Sequence, residues 1–231
     1  MGEWWTYRVA DFVMFAPRTY YRLFALYNAD VWPAHIMGLA AGVAIVALVL
    51  RPRVWGGRVI AALLALGWLW VAAMYLHPHY ATIHWAADDF AMAFVAQALL
   101  LAWLAARGGV TVRARPTGVA WVGMATLVYA VALQPLVGPL LTRPWQQAEV
   151  FGMAPDPTVI GTLGVLMAAE RAHWLLLPIP VLWCAYNAAT LAVLGSPETV
   201  ALAIAGALAL WAATHRTLAA RRSAALRGPA G

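Results

Sequence analysis

Three of the chain's six histidines and two of its nine acids fall within thirteen residues, from His77 through His79 and His84 to Asp88 and Asp89. Imidazole and carboxylate together suit Zn²⁺, Fe²⁺, Mn²⁺ or Cu²⁺. With His35 at the head of a nearby apolar segment, the set His35, His77, His79, His84 and Asp88 predicts a site for a divalent transition metal, the one cofactor this pattern offers. The competing reading has the histidines hydrogen-bonded to loop carbonyls, with the two aspartates capping a helix or pairing with arginine. Asp88 follows His84 by four residues and shares its helix face, whereas Asp89 lies roughly 100° further round. Charge at the bilayer centre costs about 2.5–3.5 kcal/mol per group on the insertion scale, and less near an interface. At least one carboxylate of such a pair should keep its proton unless a cation stands close. Asp88, Asp89 and His84 are therefore the candidate ion or proton site, set against a shallow helix start open to water.

A second polar stretch runs from Trp145 through Glu149 to Thr158. Pro155 and Pro157 bracket Asp156 and restrict its backbone. Asp156 and Thr158 are read as caps for the helix that follows. Tyr186, Asn187 and Thr190 in one apolar segment, and Gln97 in another, are read as hydrogen-bonding glue between helices. No nucleophile constellation, phosphate-binding loop, dinucleotide fingerprint or zinc-protease motif occurs.

The elements that position these residues must be membrane helices. Of 231 residues 64% are hydrophobic and only 10% charged, where a soluble domain carries about 25%. The partner this composition requires is a lipid bilayer. All 15 basic residues are Arg, which excludes Schiff-base chemistry on Lys. The net charge of +6 is read as loop bias, so no nucleic-acid partner is expected. The lone Cys184 excludes an internal disulfide. No cleavable signal peptide is expected, since Glu3 precedes the first Arg and no clean apolar core follows.

Seven apolar segments run at about 33–50, 58–76, 83–106, 118–141, 157–170, 174–194 and 198–215. The fifth, roughly 21 Å as a helix, is short enough to sit tilted, to thin the bilayer or to re-enter. Pro52, Pro116, Pro144, Pro157 and Pro197 mark boundaries, while Pro178 and Pro180 fall inside the sixth segment and predict a kink. Gly38 with Gly42, and Gly161 with Gly164, allow close helix approach. Residues 1–32, rich in aromatics such as Trp4, Trp5, Tyr7 and Phe12, predict an amphipathic helix from near Arg18 to Asn28. It would lie in the membrane interface or pack on the chain's own loops. The predicted fold is all-α: a polytopic transmembrane helix bundle of about seven spans (33–215) after this interfacial segment (1–32), with a basic cytoplasmic tail (216–231). The tail's last residues are expected to be disordered.

Eleven of the fifteen arginines, including Arg113, Arg115 and Arg227, would then face one side. The positive-inside rule makes that side cytoplasmic, with the N-terminus outside and the C-terminus inside. Every acid except Glu170 falls at or near the other face.

Trp5-Thr-Tyr7, Asp11-Phe12, Phe15-x-Pro17-Arg18-x-Tyr20, Phe151-Gly152, Pro155-x-Pro157-Thr158 and Ile179-Pro180-x-x-Trp183 span most of the chain. In these pieces, and in their order and spacing, it resembles a family of bacterial multipass membrane proteins of unknown function. The resemblance implies a polytopic bacterial membrane protein, and the arginine asymmetry places it in the cytoplasmic membrane; no activity comes with it. The family commonly has Cys between the two prolines where this chain has Asp156, an exchange that would alter the preference of any metal bound there.

Three function classes follow. A carrier or channel for a small cation or proton, built on Asp88, Asp89 and nearby histidines, ranks first. A non-catalytic membrane subunit or scaffold ranks second, with the aromatic N-terminal helix offering a surface to a protein partner or a second copy of the chain. A membrane-embedded metalloenzyme ranks last, since it needs three converging ligands.

Overall fold

The computed structural model describes residues 13–112 and 117–226. The expectations for Trp4, Trp5, Tyr7, Arg8, Asp11 and Phe12, and for Arg113, Arg115, Pro116 and Arg227, lie outside those residues. The described chain is helical, with one isolated antiparallel bridge between Val112 and Ala169.

Helix α1 (Pro17–Asp30) starts on a proline, which suits the first helical turn because its missing N–H would have no partner there. Helix α2 (His35–Leu50) leaves it at 96°. Helix α3 (Gly56–Trp70) widens into a π-helical turn, Val71–Leu76. Helix α4 is Ala87–Ala106. Helix α5 (Gly118–Val128) passes through a second π turn, Tyr129–Leu133, into α6 (Gln134–Leu140). Pro135 has no N–H for the carbonyl a turn behind it, and the widened turn absorbs the fault. Helix α7 is Pro155–Ala168, α8 is Pro178–Val193 and α9 is Thr199–Leu226.

All seven apolar segments are helices. Among the described residues five stretches are long and apolar enough to cross a membrane: 56–82, 87–106, 118–140, 174–193 and 199–223. The bent pair α1–α2 makes a sixth if counted as one broken span. About seven spans thus resolves into five of full length plus two shorter apolar helices, α2 and α7.

The sequence reading differs from the structure at two helix boundaries. Pro178 does not kink α8, because it is the first residue of the helix and no backbone hydrogen bond is lost there. Helix α9 does not stop at 215 but runs on through Arg216, Arg221 and Arg222 to Leu226, since Ala and Arg are strong helix formers in or out of lipid.

Helix α7 is the centre of the bundle: all fourteen of its residues are buried. It packs on α3, α5, α8 and α9, while α2 joins α5 to α3 and α4 joins α3 to α8. The closest packing is with α5, where a Cβ on Gly123 would lie 2.5 Å from the Ala168 nitrogen and 2.6 Å from the Gly164 oxygen. Gly38 and Gly42 likewise receive Phe151 and Val131.

An enclosed helix must satisfy its ends without water. At the start of α7, Pro155 and Pro157 have no N–H to satisfy, and the Ala154 N–H donates to Val150 O at 2.9 Å. Thr158 Oγ1 accepts from Gly152 N–H (3.0 Å) and donates to Ala154 O (2.6 Å). Gly152 makes that turn at φ +76, a conformation other residues rarely adopt. At the far end, the Arg216 guanidinium donates to Leu166 O (3.2 Å) and Met167 O, as a cation at a helix C-terminus should.

Gly123→Ala should therefore cost about 1–3 kcal/mol through overpacking, read as a lower unfolding midpoint in detergent. Gly118→Ala on the same helix, where a Cβ meets nothing within 4 Å, should leave the midpoint unchanged.

Candidate functional site

The histidines at the bundle's acid-rich end do not converge. His77 Nδ1 donates to Asp88 Oδ1 at 2.8 Å, with the two side chains 72% and 66% exposed. His79 lies 3.0 Å from both Met74 O and Asp30 Oδ2. His35 Nε2 meets Asn28 Oδ1 at 3.0 Å, and His84 Nε2 meets Tyr186 Oη at 2.8 Å. Among the described residues no three His, Cys, Asp or Glu side chains gather as a metal site. The expected set His35, His77, His79, His84 and Asp88 thus lies in four separate polar pairs. Asp88 and Asp89 stand exposed in the first turn of α4, where negative charge also suits the helix dipole.

The buried acids lie elsewhere. Asp156 is fully enclosed at the second position of α7. Its Oδ1 accepts from Trp183 Nε1 (2.8 Å) and Asn187 Nδ2 (2.7 Å), and its Oδ2 accepts from the same amide (2.8 Å). The N-cap residue of α7, Ala154, makes no side-chain cap; the Asp156 carboxylate expected to cap the helix turns instead toward α8, where Trp183 and Asn187 sit one turn apart on the facing side. The Tyr186–Asn187–Thr190 patch read as helix glue therefore includes a carboxylate ligand. Gln97 does act as glue, its Nε2 donating to Leu176 O at 3.2 Å.

Glu198, at the start of α9, is 5% exposed. It accepts from Arg143, from Tyr21 Oη (3.1 Å) and from Ser196 Oγ (2.9 Å). Arg143 in turn lies 3.9 Å over the Tyr21 ring, a cation–π contact that keeps the guanidinium in place. Glu149, in the 141–154 loop, is 4% exposed, and its Oε2 has no hydrogen-bond partner among the described residues. Neither do the buried Gln134 Oε1, Arg143 Nη1 and Tyr75 hydroxyl. Burial pushes the Glu149 carboxyl well above the usual carboxylate range, and the charges of Asp156 and then Glu198 push it further; Arg143 and Gln134 pull less strongly the other way.

Helix α1 closes the site from above. Tyr20, Leu23, Phe24 and Tyr27 are its buried face. Tyr27 Oη donates to Met153 O (2.9 Å) and accepts from Trp70 Nε1 (2.8 Å). The Asn28 amide donates to Gln146 O (2.8 Å) and Ala148 O (2.9 Å). The helix read as interfacial thus lies across the bundle end with its inner face on the chain's own loop.

Sequence reasoning named Glu149 and Asp156 without seeing their burial, and passed over Glu198, Arg143 and Gln134. One signal was present: in a chain with nine acids, Glu149, Asp156 and Glu198 all flank proline-marked boundaries at one end of the bundle.

The match to one protein family covers residues 18–224. The chain belongs to DUF6064, a family of unknown function. No curated protein and no solved structure matches it.

A carboxyl whose pKa is raised on folding stabilises the fold at low pH. That contribution is lost as pH rises from the unfolded value, near 4.3, through the folded one. Glu149→Gln should accordingly flatten the fall of the unfolding midpoint with rising pH, and should be more stable than wild type at pH 8. Parallel midpoint–pH curves for the two proteins would contradict the burial of a titrating Glu149.

Proposed function

We propose that this membrane protein carries protons across the bilayer, alone or in exchange for a small cation, through the buried carboxylates Glu149 and Asp156. The observation that supports this most directly is a charge imbalance. Three carboxylates, Glu149, Asp156 and Glu198, are buried at one end of the bundle with the Arg143 guanidinium beside them. Arg143 is already bound to Glu198, and Asp156 already accepts three hydrogen bonds. Glu149 has an oxygen without a partner, and a buried charge without a partner is costly enough that the group takes up a proton instead. A proton needs one carboxylate, whereas a transition metal needs several converging ligands. That difference favours the proton as the species handled. With the arginine-rich end cytoplasmic by the positive-inside rule, the site faces outward and α7 separates it from the cytoplasm.

The test is proton entry into proteoliposomes loaded with a pH-sensitive dye, under an imposed pH gradient, with a potassium ionophore to balance charge. Wild type should acidify the lumen faster than empty vesicles. Glu149→Gln should return the rate to the empty-vesicle level at normal abundance, and Asp88→Asn, changing an exposed carboxylate, should behave as wild type. Wild-type traces matching empty vesicles would remove the carrier reading and leave a scaffold.

A further inference from the structure

An aromatic cluster of Phe90, Trp183 and Tyr186 lies beside Asp156, which Trp183 and Asn187 hold. His84 lies between α3 and α4 and is 7% exposed. Phe15, Tyr80, Trp85, Phe90 and Tyr186 surround its ring, with centroids 5.2–6.2 Å away. Its Nδ1 accepts from the Ala86 N–H at 3.1 Å. A backbone N–H can only donate, so the neutral imidazole carries its hydrogen on Nε2 and donates it to Tyr186 Oη, 2.8 Å away. Tyr186 Oη is in turn 3.2 Å from Tyr80 Oη. The Tyr80 and Tyr75 rings stack at 6.1 Å, and the buried Tyr75 hydroxyl has no partner among the described residues. Tyr186 also adjoins Asn187 and stands one turn from Trp183, the two residues that hold Asp156.

We propose that His84, Tyr186 and Tyr80 form the proton path between the acid-rich face and the Asp156–Glu149 pair. The path rests on the proton-carrier reading above. A proton arriving at Nδ1 displaces the Ala86 hydrogen bond. The imidazolium then passes its Nε2 hydrogen to Tyr186 as Tyr186 passes its own to Tyr80 and Tyr80 passes one inward to a carboxylate. One proton enters, one reaches the acid pair, and each phenol keeps one hydrogen throughout. Turning of the imidazole returns a hydrogen to Nε2, the arrangement that the Ala86 N–H favours. Burial holds the His84 pKa below the ordinary value, so the ring is neutral at pH 7. The groups facing His84 are aromatic or phenolic, and among the described residues no carboxylate or guanidinium bonds to it.

The experiment compares Tyr186→Phe and Tyr80→Phe with Glu149→Gln in the same dye-loaded proteoliposomes. Each phenylalanine keeps the ring and removes only the hydroxyl. Both should slow proton entry at least tenfold while leaving unchanged the pH dependence of the unfolding midpoint, which reports the Glu149 carboxyl itself. A merely structural role would move both readouts together. If Glu149→Gln abolishes flux while either phenylalanine variant runs at the wild-type rate, the path is overturned and the carboxylate site stands. If Glu149→Gln also runs at the wild-type rate, the carrier reading itself falls.

Discussion

A helix that touches neither lipid nor water has to be satisfied entirely by the protein around it, and α7 is such a helix. Its interior is self-sufficient through backbone bonding and two threonine hydroxyls that donate one turn back. Thr162 Oγ1 also accepts from Trp68 Nε1 at 2.8 Å, tying α3 to the centre. Its ends are the difficulty. Proline removes two donors at one end, and Arg216 supplies donors at the other. The tight α5–α7 contact, the turn at Gly152 and the long reach of α9 all serve to hold these ends in place.

The same enclosure creates the chemistry. Asp156 sits in the first turn of α7 because the helix begins there, and it is buried because α1 and the 141–154 loop fold over that end. Once covered, a carboxylate is stable only with donors or a proton. Asp156 has the donors, Glu198 has Arg143, and Glu149 has an oxygen left over. The unequal provision for three neighbouring acids distinguishes a site from a set of structural hydrogen bonds.

Much of the architecture was legible in the residue pattern. The seven apolar runs depend on local composition, and each became a helix. The site was legible only in part, for a physical reason. Asp88 and Asp156 look alike in one dimension: each stands at the start of an apolar segment with polar neighbours. Burial separates them, and burial comes from residues far away in the chain, such as Tyr27 on Met153 and Asn28 on Gln146. The histidines misled similarly. Topology brought them to one end of the bundle, but side-chain partners that spacing does not reveal drew each to a different place. Pro178 was misplaced for a smaller reason: hydropathy marks where apolar residues run, and α8 begins four residues into that run, after a short turn at Trp174–Leu176.

The central claim is that Glu149 holds a proton inside the folded protein at neutral pH, and infrared spectroscopy reads that proton directly. The reconstituted protein at pH 7 should show the C=O stretching band of a protonated carboxyl group. Glu149→Gln should weaken it, and alkaline pH should remove it from wild type. A wild-type spectrum without that band at pH 7, or one that the substitution leaves unchanged, would contradict the account.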